Sequence, residues 1–486
     1  MSSQLSPTKA KFNLSYVHMA VIFFLMFGFG YLPTIGTITP IGMKILGIFI
    51  GLLYGWSTCG MLWPSLLGMF ALGFSGMGSV KEMLAMCFSN DIVIFLLFIL
   101  ILVEMINQSG AANAIVNFFI TRKVLQGRPW LFSFVFLLSA GLLCTFGQAF
   151  VAYLLCWGLL QSLALRVGYK PYDAYPTIMI IGVVISSAAI GMMVPFKGTP
   201  LLLLGAYTGI TQLTVNYLQY MLVMIPAGLL FLICYLFFCR LIIKPNMAPM
   251  HNMNVDELIG ESSAITKRQK ASLLAFGFFL LLLLIPGCLP TTWPFVAWLN
   301  RIGNSGMAIF CTVLFTLIHV EGEPLLDYNK LSRTGMNWPI VFMVAVLMAM
   351  TSLLMNDATG IKTFLLTIMQ PLLAHCSGFT LLILLLLLGT VMTNFMNNMV
   401  VGFMLIPILV AISSTIEVNV VAGVLMIIVA CNAAFLTPAA SPAAAMLFAK
   451  KDWLHGQDIV KIGAISIVIL LVLGSTIVFG LGSLLF

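Results

Sequence analysis

The chain has 486 residues, of which 61% are hydrophobic and only 7% are charged. Charged residues make up about a quarter of soluble globular domains, so this composition excludes a water-soluble enzyme, a nucleic-acid-binding protein and a disordered chain. The excess apolar surface must contact lipid, which predicts a multi-span integral membrane protein. The net charge of +8 indicates no polyanionic partner, because lysine and arginine lie beside apolar runs, as membrane topology signals do.

Motifs of enzymes and of ATP-driven pumps do not occur in the sequence. The five histidines never fall at positions i and i+4, the ten cysteines form no CxxC pair, and there is no P-loop. We therefore expect a transporter without enzymatic activity. No cofactor is expected apart from a coupling ion, either sodium or a proton.

The first part of the chain predicts a cytoplasmic tail and four membrane crossings. Residues 1–15 are polar and contain two lysines, which places them in the cytoplasm. A crossing needs about 20 apolar residues. The runs that fit are 16–35, 42–57, 60–78 and 91–110. The fourth crossing returns the chain to the cytoplasm before the basic residues Arg122, Lys123 and Arg128.

The next apolar segment, 129–166, predicts a re-entrant hairpin. It carries no charge from Pro129 to Leu165, and basic residues flank both ends, which favours two cytoplasmic ends. The tip is predicted at 144–149. Non-helical backbone at membrane depth is tolerated only where it is buried or lines an aqueous cavity.

A broken helix and a linker complete the first half. Residues 174–212 predict a crossing that is interrupted at 195–200, and 217–239 predict the return. The hydrophilic linker 244–270 then divides the chain near its middle.

The second half predicts the same order of elements. Three crossings are predicted by the runs 271–288, 303–320 and 338–355. No Lys or Arg occurs between Lys362 and Lys450, so 377–416 predicts a second hairpin, which enters from outside. Residues 419–449 predict a second broken helix, and 459–486 predict the last crossing. This gives eleven crossings in the inner, cytoplasmic membrane of the cell, with the N-terminus in the cytoplasm and the C-terminus outside.

Spacing along the chain indicates an internal repeat. Asn107 and Asp357 follow corresponding spans 250 residues apart, and the same offset carries Gln148 at the first tip onto Asn398 at the second. An odd number of crossings between the halves makes the two copies inverted. Inverted repeats with broken helices that meet at the midplane are typical of secondary transporters.

Five segments carry motifs of a known family. They are Phe88-Ser89-Asn90-Asp91-Ile92-Val93-Ile94-Phe95, Gly198-Thr199-Pro200, Thr393-Asn394-Phe395-Met396-Asn397-Asn398-Met399, Pro407 and Ala440-Ser441-Pro442-Ala443-Ala444. The chain resembles, over nearly its whole length, the divalent anion/sodium symporter family, the dicarboxylate and citrate permeases of the ion-transporter superfamily. The resemblance implies an all-α elevator-type transporter with about eleven transmembrane helices and two opposed re-entrant hairpins.

The resemblance also implies the domain organisation and the partners. Scaffold helices (16–128 and 271–376) would form a homodimer in the lipid bilayer and hold a mobile transport domain (129–243 and 377–486). A small anionic substrate would bind between the hairpin tips and the helix breaks. The expected site residues are Gly147, Gln148, Ala149, Lys197, Gly198, Thr199, Pro200, Thr393, Asn394, Asn397, Asn398, Met399, Thr437, Ser441 and Pro442.

Physical chemistry favours an anion at this site, because the N-termini of half-helices point N–H groups and the positive end of the helix dipole at the substrate. Asn398 is expected to contact the substrate or an ion. For Thr393 and Asn394, an equally good interpretation is that they satisfy backbone groups opened at the tip.

The tips depart from the family pattern of Ser-Asn-Thr. They read Gly147-Gln148-Ala149 and Asn397-Asn398-Met399, so several oxygen atoms that would bind sodium are missing. If sodium is coupled, the resemblance implies a site near Asn398 and Ser441.

Lys197 stands alone in the charge-free part of its span, at the predicted break. A cation near the bilayer centre costs roughly 2.5–3.5 kcal/mol on insertion scales and usually has a function. Our hypothesis is that Lys197 supplies the positive charge that sodium supplies in the family, which predicts sodium-independent exchange. An equally weighted interpretation is that the lysine extends to water from a cavity rim.

Other functions stay open at this point. Alternatives within transport are a sodium- or proton-coupled anion symporter, or an oxyanion or cation/proton antiporter. A membrane enzyme or a receptor would need clustered titratable residues or an added soluble domain, and the sequence contains neither. Glu104 is expected near the inner end of its helix, facing water, although an intramembrane carboxylate can also relay protons.

Overall fold

The computed structural model describes residues 14–112, 114, 125, 127–147, 149–251, 265–373 and 377–486. The predicted tail 1–15, the linker 244–270 and the tip residue Gln148 lie partly or wholly outside these residues. The same holds for Arg122 and Lys123.

The described part of the first half is helical. Its helices are α1 (Leu14–Phe23), α2 (Pro40–Thr58), α3 (Leu62–Leu72), α4 (Val80–Phe88), α5 (Asp91–Gln108), α6 (Pro129–Phe146), α7 (Ala149–Arg166), α8 (Ala174–Gly191), α9 (Gly198–Thr211), α10 (Tyr217–Phe238) and α11 (Ala248–His251). Turns of π and 3-10 helix extend α1 to Tyr31, and a π turn extends α10 to Ile243.

The described part of the second half contains helices and one short β-hairpin. In chain order the elements are α12 (Lys267–Cys288), α13 (Pro294–Leu317), β1 (His319–Val320), β2 (Glu323–Pro324), α14 (Tyr328–Gly335), α15 (Trp338–Leu354), α16 (Ile361–Leu373), α17 (Gly378–Thr393), α18 (Asn398–Ile412), α19 (Val420–Asn432), α20 (Pro442–Ala449), α21 (Gly456–Leu473) and α22 (Phe479–Leu485). The two strands are antiparallel, with Val320 opposite Glu323. A π turn joins α21 to α22, and a 3-10 turn (Asp357–Thr359) precedes α16.

Local sequence explains where several helices begin. Thr39 caps α2 by accepting a hydrogen bond from the N–H of Gly42 at 3.0 Å, and Pro40 occupies the first helical position. Asn419 caps α19 by accepting from the N–H of Ala422 at 2.9 Å. These caps satisfy N–H groups that would otherwise lack partners at a helix start.

Eight described helices are long and apolar enough to cross a membrane, and a ninth span results if the bent pair α14–α15 is counted as one. Five shorter apolar helices accompany them. α8 has 78% of its apolar window buried, against 33% for α12, so α8 lies at the centre of the protein and α12 at its periphery. The multi-pass helical membrane fold expected from the sequence is confirmed, with the short β1–β2 hairpin as an addition. The count of eleven crossings and the inverted orientation stay predictions.

Each half of the chain contains a helical hairpin followed by a broken helix and a long helix. The hairpins are α6–α7 and α17–α18, and the broken helices are α8–α9 and α19–α20. α8 packs on both arms of its hairpin, α19 packs on both arms of the other, and α9 packs on α18. These eight helices form one unit, which we call the hairpin module.

A wall made of α5, α14 and α15 lies against the hairpin module. α15 packs on α9, and α14 and α15 both pack on α5. This arrangement places the first break of the module directly opposite α5.

Three predicted spans differ in detail from the structure. The run 60–78 divides into α3 and a glycine-containing turn before α4. The run 303–320 belongs to a helix that begins earlier, at Pro294, and is kinked at Gly303, where φ is 71°. The run 338–355 is preceded by α14, which meets α15 at 78°. Apolar length alone does not reveal these bends, because both sides of each bend are compatible with a helix.

Candidate functional site

The hairpin tips and the helix breaks meet around a cavity of about 700 Å³. Nine predicted site residues line it: Gly147, Ala149, Lys197, Gly198, Thr199, Pro200, Asn398, Met399 and Ser441. The facing wall is formed by α5 and the α14–α15 bend, including Val103, Glu104, Asn107, Thr334, Gly335 and Asn337. The volume lies in the usual range of small-molecule sites, about 300–1,000 Å³.

Lys197 connects the first break to the first tip. It precedes α9 in extended backbone, and its Nζ donates a hydrogen bond to the carbonyl oxygen of Thr145 near the end of α6. A lysine that caps the last carbonyls of a helix stabilises that helix end, which is a structural role. An ammonium group has three N–H donors, so this contact leaves two for a ligand in the cavity.

The start of α9 is open to the same cavity. No side chain caps this helix, whereas Asn397 caps α18 by accepting from the N–H of Met399 at 2.9 Å. Gly198 has φ of 61°, in the left-handed region that favours glycine, and no atom lies within 4 Å of the position that a Cβ would take. The first N–H groups of α9 and the positive end of its dipole are therefore accessible to an anion.

Asn394 lies behind the cavity and supports the second break. Its Nδ2 donates to the carbonyls of Thr390 at 2.8 Å and Ala433 at 2.9 Å, and its Oδ1 accepts from the N–H of Leu436 at 2.8 Å. This fully bonded, buried side chain does not line the cavity.

Two threonines near Asn394 have similar contacts and do not line the cavity. Thr393 donates to the carbonyl of Cys431 at 3.3 Å, and Thr437 donates to the carbonyl of Asn394. Both hydroxyl groups satisfy backbone oxygens where α17 and α19 end. This is the structural interpretation that the sequence allowed for Thr393.

Asn397 and Pro442 stand at helix starts outside the cavity lining. Asn397 is the cap of α18, and Pro442 is the first residue of α20. Gln148, at the first tip, lies outside the described residues.

The side-chain oxygens of the described tip and break residues are only partly engaged: the buried Oγ1 of Thr145 has no hydrogen-bond partner, whereas Ser441 and Asn398 bond to backbone. Ser441 donates to the carbonyl of Ala434 at 2.7 Å and accepts from the N–H of Ala444 at 3.1 Å. The Oδ1 of Asn398 accepts from the N–H of Met399 at 3.0 Å. The oxygen atoms expected near a sodium ion are thus already engaged with backbone.

Glu104 was expected to face water, and the structure corrects this. Glu104 is only 6% exposed and lines the central cavity together with Lys197. The signal in the sequence was a carboxylate inside an apolar run. The position of Glu104 opposite the first helix break, however, depends on how α5 packs against α9 in the folded protein. Among the described lining residues, Glu104 and Lys197 are the two charged ones.

A second cavity of about 380 Å³ lies on the far side of Leu201. It is bounded by the start of α5, including Asp91, and by the face of α9 that carries Gly205 and Thr208. Leu201 lines both cavities. The two spaces therefore follow one another along the contact between α5 and α9.

Paired hairpins, broken helices and a central cavity that presents a lysine and an open helix N-terminus are the features of a secondary transporter of anions. The profile of the citrate transporter family (CitMHS) matches residues 51–323. The chain belongs to this family, which confirms its resemblance to the citrate and dicarboxylate permeases.

The fold is also similar to that of a solved transporter. The crystal structure of the YdaH transporter of Alcanivorax borkumensis, described as having an unusual topology, aligns with a TM-score of 0.55 at 13% identity. The alignment covers 90% of this chain and 96% of that chain. At this identity the likeness concerns the fold alone. No curated protein gives a significant match to the chain.

Proposed function

We propose that the protein carries a small organic anion of the di- or tricarboxylate type by secondary active transport. The observation that carries this proposal is the position of Lys197, a cation beside the uncapped N-terminus of α9 in the central cavity. A carboxylate there would accept hydrogen bonds from the lysine ammonium and from the N–H groups of Gly198 and Thr199. Membership of the citrate transporter family supports a carboxylate substrate.

The coupling follows from the same lysine. Lys197 supplies a fixed positive charge, and the oxygens of Ser441 are engaged with backbone. We therefore propose sodium-independent exchange of anions. Symport with sodium or protons is the alternative, and the assay below separates sodium coupling from sodium-independent exchange.

Elevator movement is the proposed mechanism. Two cavities lie in sequence along the contact between α5 and α9 and share Leu201 as a boundary. Displacement of the hairpin module along the wall would open the site alternately to the two sides of the membrane, as in transporters where a rigid unit moves against a fixed one.

Localisation and assembly complete the proposal. Basic residues beside the apolar runs favour the cytoplasmic membrane with the N-terminus inside. A homodimer formed by the scaffold helices would anchor the wall while the hairpin module moves.

The test is counterflow into liposomes that contain purified protein and unlabelled succinate, malate or citrate in sodium-free buffer. We expect the wild type to accumulate the labelled form of at least one of these anions. Lys197→Ala should slow the accumulation of the labelled anion about tenfold or more, because a hydrogen-bonded charge is lost from the site. Lys461→Ala, on the exposed surface of α21, is the matched control and should exchange at the wild-type rate.

Two results would contradict the proposal. A strict requirement for a sodium gradient would rule out sodium-independent exchange. Wild-type counterflow by Lys197→Ala would remove the lysine from the site.

A further inference from the structure

Glu104 brings a negative charge into a cavity that binds an anion under the function proposed above. It lies on the fixed wall, in α5, whereas Lys197 belongs to the hairpin module. Repulsion by such a carboxylate opposes the binding of an anion, so its presence requires an explanation.

The wall holds this carboxylate in a defined place. Asn107 donates to it from Nδ2 at 3.3 Å, and Gln108 donates from Nε2 at 3.4 Å. Gln108 also donates to the hydroxyl of Thr334 at 2.7 Å, which links the group to α14. Gly335 packs against it so closely that a Cβ there would be 2.5 Å from the Cβ of Glu104.

Glu104 and Lys197 both line the cavity but form no direct ion pair with each other; the ion pair in the described part of the chain joins Arg268 and Glu323. The two basic residues of α14, Lys330 and Arg333, are exposed and do not line the cavity. Lys197 is therefore the cation of the described cavity lining that faces Glu104.

We propose that Glu104 determines the net charge of the anion that the site accepts. One carboxylate of the substrate binds at Lys197 and the start of α9. Each further negative charge on the substrate must then lie in the cavity near Glu104 and is penalised. Carboxylic acids of low charge, including partly protonated forms of polycarboxylic acids, are favoured over fully ionised ones.

A purely structural role for Glu104 is the competing explanation. Its hydrogen bonds to Asn107 and Gln108 connect α5 with α14, and their loss alone would weaken every ligand equally. Glu104→Gln separates the two roles because glutamine keeps the shape and an acceptor oxygen while it removes the charge.

The experiment measures the inhibition of counterflow by acetate, succinate and citrate as competitors at a fixed pH above the carboxyl pKa values of all three. Relative to acetate, we expect Glu104→Gln to strengthen inhibition about tenfold for each additional negative charge on the competitor. Glu417→Gln, on an exposed residue, is the matched control and should keep the wild-type ratios.

The ratios decide between the explanations. If Glu104→Gln changes the inhibition by acetate, succinate and citrate by the same factor, so that their ratios stay at the wild-type values, the charge-selection role is overturned. Because this inference rests on the proposed function, the wild type provides the separate check. Absence of any carboxylate counterflow in the wild type contradicts the proposed function, whereas wild-type counterflow with unaltered ratios in the variant contradicts only the role of Glu104.

Discussion

Two asparagines of the second hairpin tip show how side chains of one type divide between structure and site. Asn394 is buried and bonded to three backbone groups of the second break and its surroundings, whereas Asn398 lines the central cavity. The sequence predicts both as site residues because both occur in one motif, and for Asn394 it equally allows a role in satisfying backbone groups. The path of the backbone after α19 decides for that structural role, because Asn394 faces away from the cavity.

Replacement of Asn394 should destabilise the protein. Asn394→Ala leaves the carbonyl of Ala433 and the N–H of Leu436 buried without their partner, which costs about 2–3 kcal/mol. We expect a lower melting temperature in a detergent thermal-shift assay, with the carboxylate affinity of the folded protein retained. A melting temperature equal to that of the wild type would contradict the supporting role.

Replacement of Asn398 should weaken substrate binding and leave stability nearly unchanged, the reverse of what we expect for Asn394. The N–H of Met399 that it binds also has Asn397 as a partner at 2.9 Å, so Asn398→Ala should cost less than about 1 kcal/mol of stability. A lost hydrogen bond to a carboxylate should weaken substrate binding about tenfold, as measured by equilibrium binding. Unchanged affinity in a stable variant would remove Asn398 from the site.

The two charged residues of the cavity differ in how far the sequence predicts them. Lys197 was singled out because it interrupts a long charge-free stretch at a helix break, and it lines the cavity. The sequence does not predict that Glu104 lines the cavity, because no motif distinguishes the end of its helix. Its environment is set by α14 and by the first break, which approach it only in the folded protein.

At the level of elements, apolar runs predicted the helix pairs α6–α7 and α17–α18 and the broken helices, because the absence of charge and the interruption by proline and glycine are visible in sequence. That each pair enters and leaves on one side of the membrane stays a prediction. The apolar runs did not predict the bend between α14 and α15 or the kink at Gly303. The α14–α15 bend lies where α14 packs on α5, whereas the kink at Gly303 uses a left-handed conformation that glycine adopts readily.

Cross-linking between elements tests whether the hairpin module moves along the wall. A Cβ at Gly205 of α9 would lie 2.9 Å from the Cδ1 and 3.1 Å from the Cγ2 of Ile92 in α5, so we expect cysteines at these two positions to be close enough for an oxidative cross-link. Oxidation of the Ile92→Cys/Gly205→Cys variant should stop counterflow because it joins the module to the wall, and reduction should restore it.

A cross-link inside the module is the matched control. A Cβ at Gly182 of α8 would lie 3.0 Å from both Cδ atoms of Leu137 of α6, and both helices belong to the hairpin module. The oxidised Leu137→Cys/Gly182→Cys variant should continue to exchange, and the wild type treated with the same oxidant accounts for its native cysteines. Sustained counterflow with the α5–α9 disulfide formed would contradict elevator movement.

For the whole molecule, the charge distribution predicts an odd number of crossings. Tags placed before residue 1 and after Phe486 should therefore lie on opposite sides of the membrane. In right-side-out vesicles, we expect a protease to remove the C-terminal tag and to leave the N-terminal one intact. Cleavage of both tags, or of neither, would contradict the predicted odd number of crossings.

In the proposed function, an anion binds beside Lys197 and the N-terminus of α9. Equilibrium binding of the counterflow substrate to purified wild type, Lys197→Ala and Lys461→Ala, without sodium, tests this contact. We expect about a tenfold or greater loss of affinity in Lys197→Ala alone, with all three proteins equally folded. Equal affinity of the three proteins for that carboxylate would contradict the proposed contact.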